Sequence, residues 1–139
     1  MRHAFTLIEA LMVLAIAGIL LALTAPSLGT LRDRASVRGA TMEILAVLAT
    51  ARRAALERGQ SVAAHVSAEN GTIQLIAGVD TLAVRRLADD YGVSLDASRD
   101  SIAYGPQGRG YGAANTRLII ARGSVRDTVF VARTGRVRH

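Results

Sequence analysis

Residues 10–31 form a run of 22 positions without a formal charge. As a helix this run spans roughly 33 Å at ~1.5 Å per residue, enough to cross the hydrocarbon core of a bilayer. Only nine residues precede it, and the last of them is Glu9. A secretory signal peptide has a longer basic region, a shorter apolar core and a small-residue cleavage site after that core. Here the small residue, Ala4, stands ahead of the core. The sequence therefore predicts a helix over 5–31 that stays in the mature chain and anchors the residues after it. Pro26 removes a helical hydrogen bond and predicts a kink there, and Gly18 weakens the same stretch. A carboxylate at a bilayer's centre costs about 2.5–3.5 kcal/mol on insertion scales, and less near the interface. Glu9 thus needs either a cationic partner or the helix N-terminal dipole, which is worth about 0.3–1 kcal/mol.

Phe5-Thr-Leu-Ile-Glu9, the apolar run and Ala25-Pro26-Ser27-Leu28 together resemble the type IV prepilin signature. The resemblance implies a short leader, 1–4, removed by a prepilin peptidase between Ala4 and Phe5. It implies N-methylation of Phe5, and it makes Glu9 the counter-charge for the methylated terminus of a neighbouring subunit. The family usually has Gly before the cut, where this chain has Ala4. A pilin-like chain would be a single-pass inner-membrane protein with its globular part, 32–139, outside the cytoplasm. Its partners would be the peptidase, other pilins or pseudopilins, and membrane lipid.

The remaining residues suffice for one small domain. With no Cys there is no disulfide framework and no thiolate metal site. All 17 basic residues are Arg, which excludes Lys chemistry. From 32 to 58 the pattern is helical, with Leu31, Ala35, Met42, Leu45, Ala49 and Leu56 within about 40° of one line. Ile44, Val47 and Leu48 lie away from that stripe, so the helix is sticky on two sides. Two such sides suit one face on the domain's own sheet and another on neighbouring subunits, or equally a well-buried helix. Arg53 and Glu57 are spaced as a weak i, i+4 pair, and Gly59 reads as the helix stop. Residues 60–139 read as strands at 61–67, 72–77, 81–87, 93–95, 102–104, 117–121 and 128–132, with a short last one at 136–138. Asn70-Gly71 predicts a tight hairpin turn with positive φ at both central residues, and Asp89-Asp90 a polar turn. The expected fold is α+β, one long N-terminal helix packed on an antiparallel β-sheet. The helix exit at 51–60, the 102–108 segment, Arg117-Leu-Ile-Ile120, Thr128-Val-Phe-Val131 and Gly135-Arg-Val-Arg138 are similar to the GspH/FimT group of minor pilins. That group serves type II secretion in one branch and type IV pili in the other. The resemblance implies assembly into the tip or initiation complex of a pseudopilus or pilus.

Charge is distributed unevenly. Residues 32–98 hold eight Arg and eight acids; residues 99–139 hold eight Arg and two acids, a net +6. Such a basic third suits an anionic partner or a merely solvated strand. If Gly135-Arg136-Val137-Arg138 is extended, Arg136 and Arg138 share a face about 6–7 Å apart, the spacing of successive phosphates. A Gly-Arg-x-Arg tail also resembles the DNA-binding motif of the FimT branch, which serves DNA uptake in transformation. Arg126 and Arg133 would extend the patch. Arg52 and Arg53, in the charge-balanced helix, would stand outside it. Gly108, Gly110 and Gly112 are followed by no helical pattern, so a phosphate-binding loop is not indicated. His3, His65 and His139 have no metal-ligand spacing. No nucleophile–base–acid order is present, so neither an enzyme, a cofactor nor a metal is expected.

Overall fold

The computed structural model describes residues 6–111 and 115–139, and the backbone alone for 23–27 and 111. The chain divides into two compact units, 1–32 and 33–139. Helix α1 (Leu7–Arg58) supplies the described part of the first unit and the opening of the second. In the first unit every described side chain from Thr6 to Ala22 is exposed. The backbone stays helical through Pro26. Among the described residues no helix is long and apolar enough to cross a membrane. The expected span includes 23–27, whose side chains lie outside the described residues.

The second unit is α+β. Strands β1 (Val62–Ser67), β2 (Thr72–Ala77), β3 (Asp80–Arg86), β5 (Ser101–Tyr104) and β6 (Gly110–Tyr111) form one sheet, ordered β3-β2-β1-β5-β6. A second sheet, β4-β7-β8-β9, contains β4 (Ser94–Ala97), β7 (Thr116–Arg122), β8 (Val125–Val131) and β9 (Val137–Arg138). All pairings are antiparallel. The single sheet expected from the strand run is thus two. Between β3 and β4 lies a short helix α2 (Leu87–Tyr91), closed by Gly92 in the left-handed region. Its Asp89 and Asp90 occupy the first helical turn rather than a loop.

Alternation on the strands points one set of side chains inward. Val62, Ala64, Ile73, Leu75, Ile102 and Tyr104 do so from the first sheet, and Leu118, Ile120, Val129 and Val131 from the second. They meet Val37, Ala40, Ile44, Val47, Leu48, Ala51 and Ala55 of α1 in one buried cluster. The helix therefore buries the narrower stripe through Ile44 and Leu48. The longer stripe is largely at the surface, with Leu31, Met42 and Leu56 exposed. Small residues on the buried side, Ala40, Ala51 and Ala55, let the helix approach the sheets closely, whereas the larger outer residues would hold it off.

The β1–β2 connection also differs from the expected two-residue turn. Residues 68–71 form a four-residue loop between paired Ser67 and Thr72, and Gly71 alone has positive φ, +57°. A Cβ at Gly71 would come within 2.5 Å of the Ala88 Cβ. The tight packing of α2 on this loop, with Ala88 N–H donating to the Gly71 carbonyl at 3.2 Å, selects the geometry.

Arg122 fastens the second sheet to α1 and α2. Its Nε donates to Asp33 Oδ1 at 3.0 Å, and its Nη1 donates to Ser36 Oγ at 2.9 Å and to the Tyr91 carbonyl. On the other side of α1, Arg85 pairs with Glu43 at 2.7 Å. The anticipated Arg53–Glu57 pair is not formed, in keeping with the small value of exposed helix pairs.

Candidate functional site

Ala4 and Phe5, the expected cleavage and methylation positions, lie outside the described residues. The helix they precede opens on a reciprocal cap. Thr6 N–H and Thr6 Oγ1–H both donate to Glu9 Oε2 at 2.9 Å, while Glu9 N–H donates to Thr6 Oγ1 at 3.4 Å. A Thr followed three residues later by Glu is a capping box. That signal is legible in Thr6-Leu-Ile-Glu9, whereas the cost of an intramembrane charge points only to a dipole or an intersubunit role for Glu9. The Glu9 carboxylate is thus held at the first turn of α1, and among the described residues its bonds run through Oε2.

At the C-terminal end a tight turn brings β9 back along β8. Ala132 N–H donates to the Arg136 carbonyl and Gly135 N–H to the Ala132 carbonyl, both at 2.8 Å. Gly135 has φ +80°, and a Cβ on it would lie 2.9 Å from Gly110 N and 3.0 Å from the Tyr104 ring. Only Gly closes this turn against the first sheet.

The register then arranges an exposed cross-strand row. Arg117 on β7 stands opposite Phe130 on β8, which stands opposite Arg138 on β9. Phe130 is 53% exposed, so an aromatic face lies between two guanidinium-bearing residues. Arg136, two positions before Arg138, is exposed, and the two line a cavity of about 410 Å³ with Phe130 and Asn115; Arg117 is not among its lining residues. Arg136 precedes β9 and Arg138 lies in it; Arg133 is exposed in the turn before them. Arg126 is not part of this cavity. It lines a separate pocket with Arg34 and Arg38.

Arg52 and Arg53 do not stand apart from the basic tail. With Leu45, Leu56, Tyr104 and Arg136 they line a groove of about 510 Å³ between α1 and β9. Three guanidinium-bearing residues thus rim an apolar floor. Tyr104 is the buried member: burial pushes its hydroxyl above the ordinary 10.0, opposed by the charge of Arg52. Neither Arg52 in the groove nor the Arg117–Phe130–Arg138 row could be placed from one sequence, because helix placement sets the first and strand register the second. Among the described residues no group of His, Asp and Glu could hold a metal ion.

The prokaryotic N-terminal methylation motif matches residues 1–25, and the family model of the type II transport protein GspH matches residues 40–135. Two solved structures share the fold. The type IV minor pilin FimU of Pseudomonas aeruginosa is 12% identical, with a TM-score of 0.64, over 76% of this chain and 88% of that one. The minor pseudopilin EpsH of the Vibrio cholerae type 2 secretion system is 13% identical, with a TM-score of 0.61, over 74% and 94%. No curated protein matches the chain significantly.

Proposed function

This chain belongs to the GspH family of type IV pilin-like proteins, and from that premise we propose that it is a non-enzymatic minor subunit at the tip or initiation complex of a pseudopilus or pilus. The observation that carries the reading is the order of its two matched segments, a methylation motif at 1–25 directly ahead of a GspH domain at 40–135. In this reading residues 5–31 anchor the chain in the inner membrane with the domain outside the cytoplasm. A prepilin peptidase cuts between Ala4 and Phe5 and methylates Phe5. The apolar helix then leaves lipid for the filament core, where Glu9 pairs with the amino terminus of a neighbouring pilin. The exposed stripe through Leu31 and Met42 faces other subunits.

The test separates the two roles open to Glu9. Glu9→Ala and Thr6→Ala both abolish the capping box. Both variants should insert in the membrane, and mass spectrometry of the wild type from peptidase-positive cells should find N-methyl-Phe5 as the first residue. Only Glu9→Ala should lose crosslinking to other pilins. Equal crosslinking losses in both variants would reduce Glu9 to a helix cap, and an uncut Met1 terminus would remove the pilin reading.

A second reading is favoured by the Arg117–Phe130–Arg138 row: DNA capture on the outer face of the second sheet, for uptake in transformation. Guanidiniums can take phosphates while an exposed ring stacks on a base. Its test is fluorescence anisotropy of labelled DNA with the full chain. Phe130→Ala should weaken single-strand binding by about 1–3 kcal/mol, the worth of one stacked base. No binding by the wild type at low salt rules this reading out.

A further inference from the structure

We infer that Arg34, Arg38 and Arg126 form a binding site for the phosphate of an anionic phospholipid headgroup. The inference rests on the anchored-subunit reading above. The three residues line one pocket of about 260 Å³, whose walls include Val37 and Met42. None of the three is in an ion pair among the described residues. The acids nearby are already engaged. Asp127 also lines the pocket, but its Oδ2 accepts from Thr41 Oγ1 at 2.8 Å and its Oδ1 from Thr128 N–H at 2.8 Å. Asp33, the sole acid among 32–38, is held by Arg122 at 3.0 Å. The pocket, which His139 also lines, therefore offers three guanidinium-bearing residues beside an Asp127 carboxylate whose two oxygens are both hydrogen-bonded.

Chain distance sets the depth of the site. Arg34 is the third residue beyond Leu31, the last of the uncharged run, and Arg38 is the seventh. In a helix these are roughly 4.5 Å and 10.5 Å further on at ~1.5 Å per residue. Both residues line the pocket from α1 together with Val37, Thr41 and Met42. The polar zone of one leaflet is about 5–8 Å deep, the difference between the hydrocarbon core and the whole bilayer halved. Arg34 thus falls within about that depth of the end of the run, and Arg38 roughly 3 Å beyond it. Nucleic acid offers the same phosphate chemistry, but the lipid is fixed beside these residues by the anchor itself, and a phosphodiester joined to an apolar diacyl portion suits Val37 and Met42.

The full chain is reconstituted into phosphatidylcholine vesicles with and without phosphatidylglycerol. Spin-labelled phosphatidylglycerol and phosphatidylcholine then report, by electron paramagnetic resonance, which lipid is immobilised at the protein. The wild type should prefer phosphatidylglycerol, on the order of fivefold for each guanidinium at the surface. The triple variant Arg34→Gln, Arg38→Gln, Arg126→Gln should show parity. Arg136→Gln with Arg138→Gln should keep the wild-type preference, and far-UV circular dichroism should be the same for all three. Flotation on pure phosphatidylcholine vesicles tests the anchor separately: a chain that fails to float overturns the anchored reading and this inference with it. A chain that floats but shows parity, or whose two variants lose preference equally, overturns the site alone. Loss of the preference in inorganic phosphate would assign the pocket to a free anion. A DNA duplex bound by the wild type and not by the triple variant, with lipid preference equal in both, would assign it to nucleic acid.

Discussion

At the scale of single residues, Arg122 and Tyr104 show how partly buried polar groups are arranged. Arg122 satisfies Asp33, Ser36 and the carboxyl end of α2 at once. Arg122→Ala leaves the Asp33 carboxylate and the Tyr91 carbonyl without that donor. Hydrogen bonds to charged groups contribute about 1.5–3 kcal/mol, and urea unfolding followed by circular dichroism should show a loss in that range. Tyr104 is buried, and its folded-state pKa is raised above 10.0. The unfolded chain therefore ionises this hydroxyl first. Its contribution is fully present below about pH 10 and is lost as pH rises beyond it. Tyr104→Phe should flatten the alkaline decline of stability above pH 10 and leave the neutral range without a pH-dependent change. Gly92 is tied to the same arrangement, since a Cβ there would meet Arg122 Nη1 at 2.8 Å. None of these relations shows in the sequence, where Arg122 is one of eight arginines in a basic third.

At the scale of elements, periodicity reveals that α1 and most of the strands exist but not which way α1 faces. Leu31, Met42, Leu45 and Leu56 make the stronger apolar stripe, yet the sheets take Ile44, Leu48 and the alanines. Hydropathy measures side-chain size along with aversion to water, and a helix against two sheets needs small residues as well as apolar ones. Ile44→Ala should destabilise the domain by about 2–5 kcal/mol, the range for emptying a core position. Met42→Ala, at a position 46% exposed, should fall within about 0.5 kcal/mol, as surface changes do. Urea midpoints for the pair decide which stripe is the core. The split into two sheets is equally hidden, because α2 is only five residues long and carries too few turns for a period. The Asn70-Gly71 dipeptide indicates a turn by itself, whereas Ala88 from a distant element decides the loop.

At the scale of the whole molecule, charge is sorted along the chain and then folded into separate places. Residues 99–139 carry the net +6, and the fold adds Arg52 and Arg53 beside Arg136 while it removes Arg126 to the pocket with Arg34. The Arg136–Arg138 pair is legible because alternation in a short extended tail requires no tertiary knowledge; the rest of the face needs the register. If the face takes DNA, Arg136→Ala with Arg138→Ala should flatten the salt dependence by roughly 2, at about −0.9 per phosphate contact. Arg52→Ala with Arg53→Ala should flatten it too, contrary to the charge balance of their own helix. Anisotropy titrations across a salt series compare the two pairs.

The borders of the two sheets have a consequence for crowding. Both β6 and β9 are two residues long, β4 is four, and the longer β3 is bulged against β2 and carries exposed Arg85 and Arg86. Short, irregular or charged borders resist the zippering of one sheet onto another. Copies of this domain can therefore be concentrated side by side without fusing through their backbones.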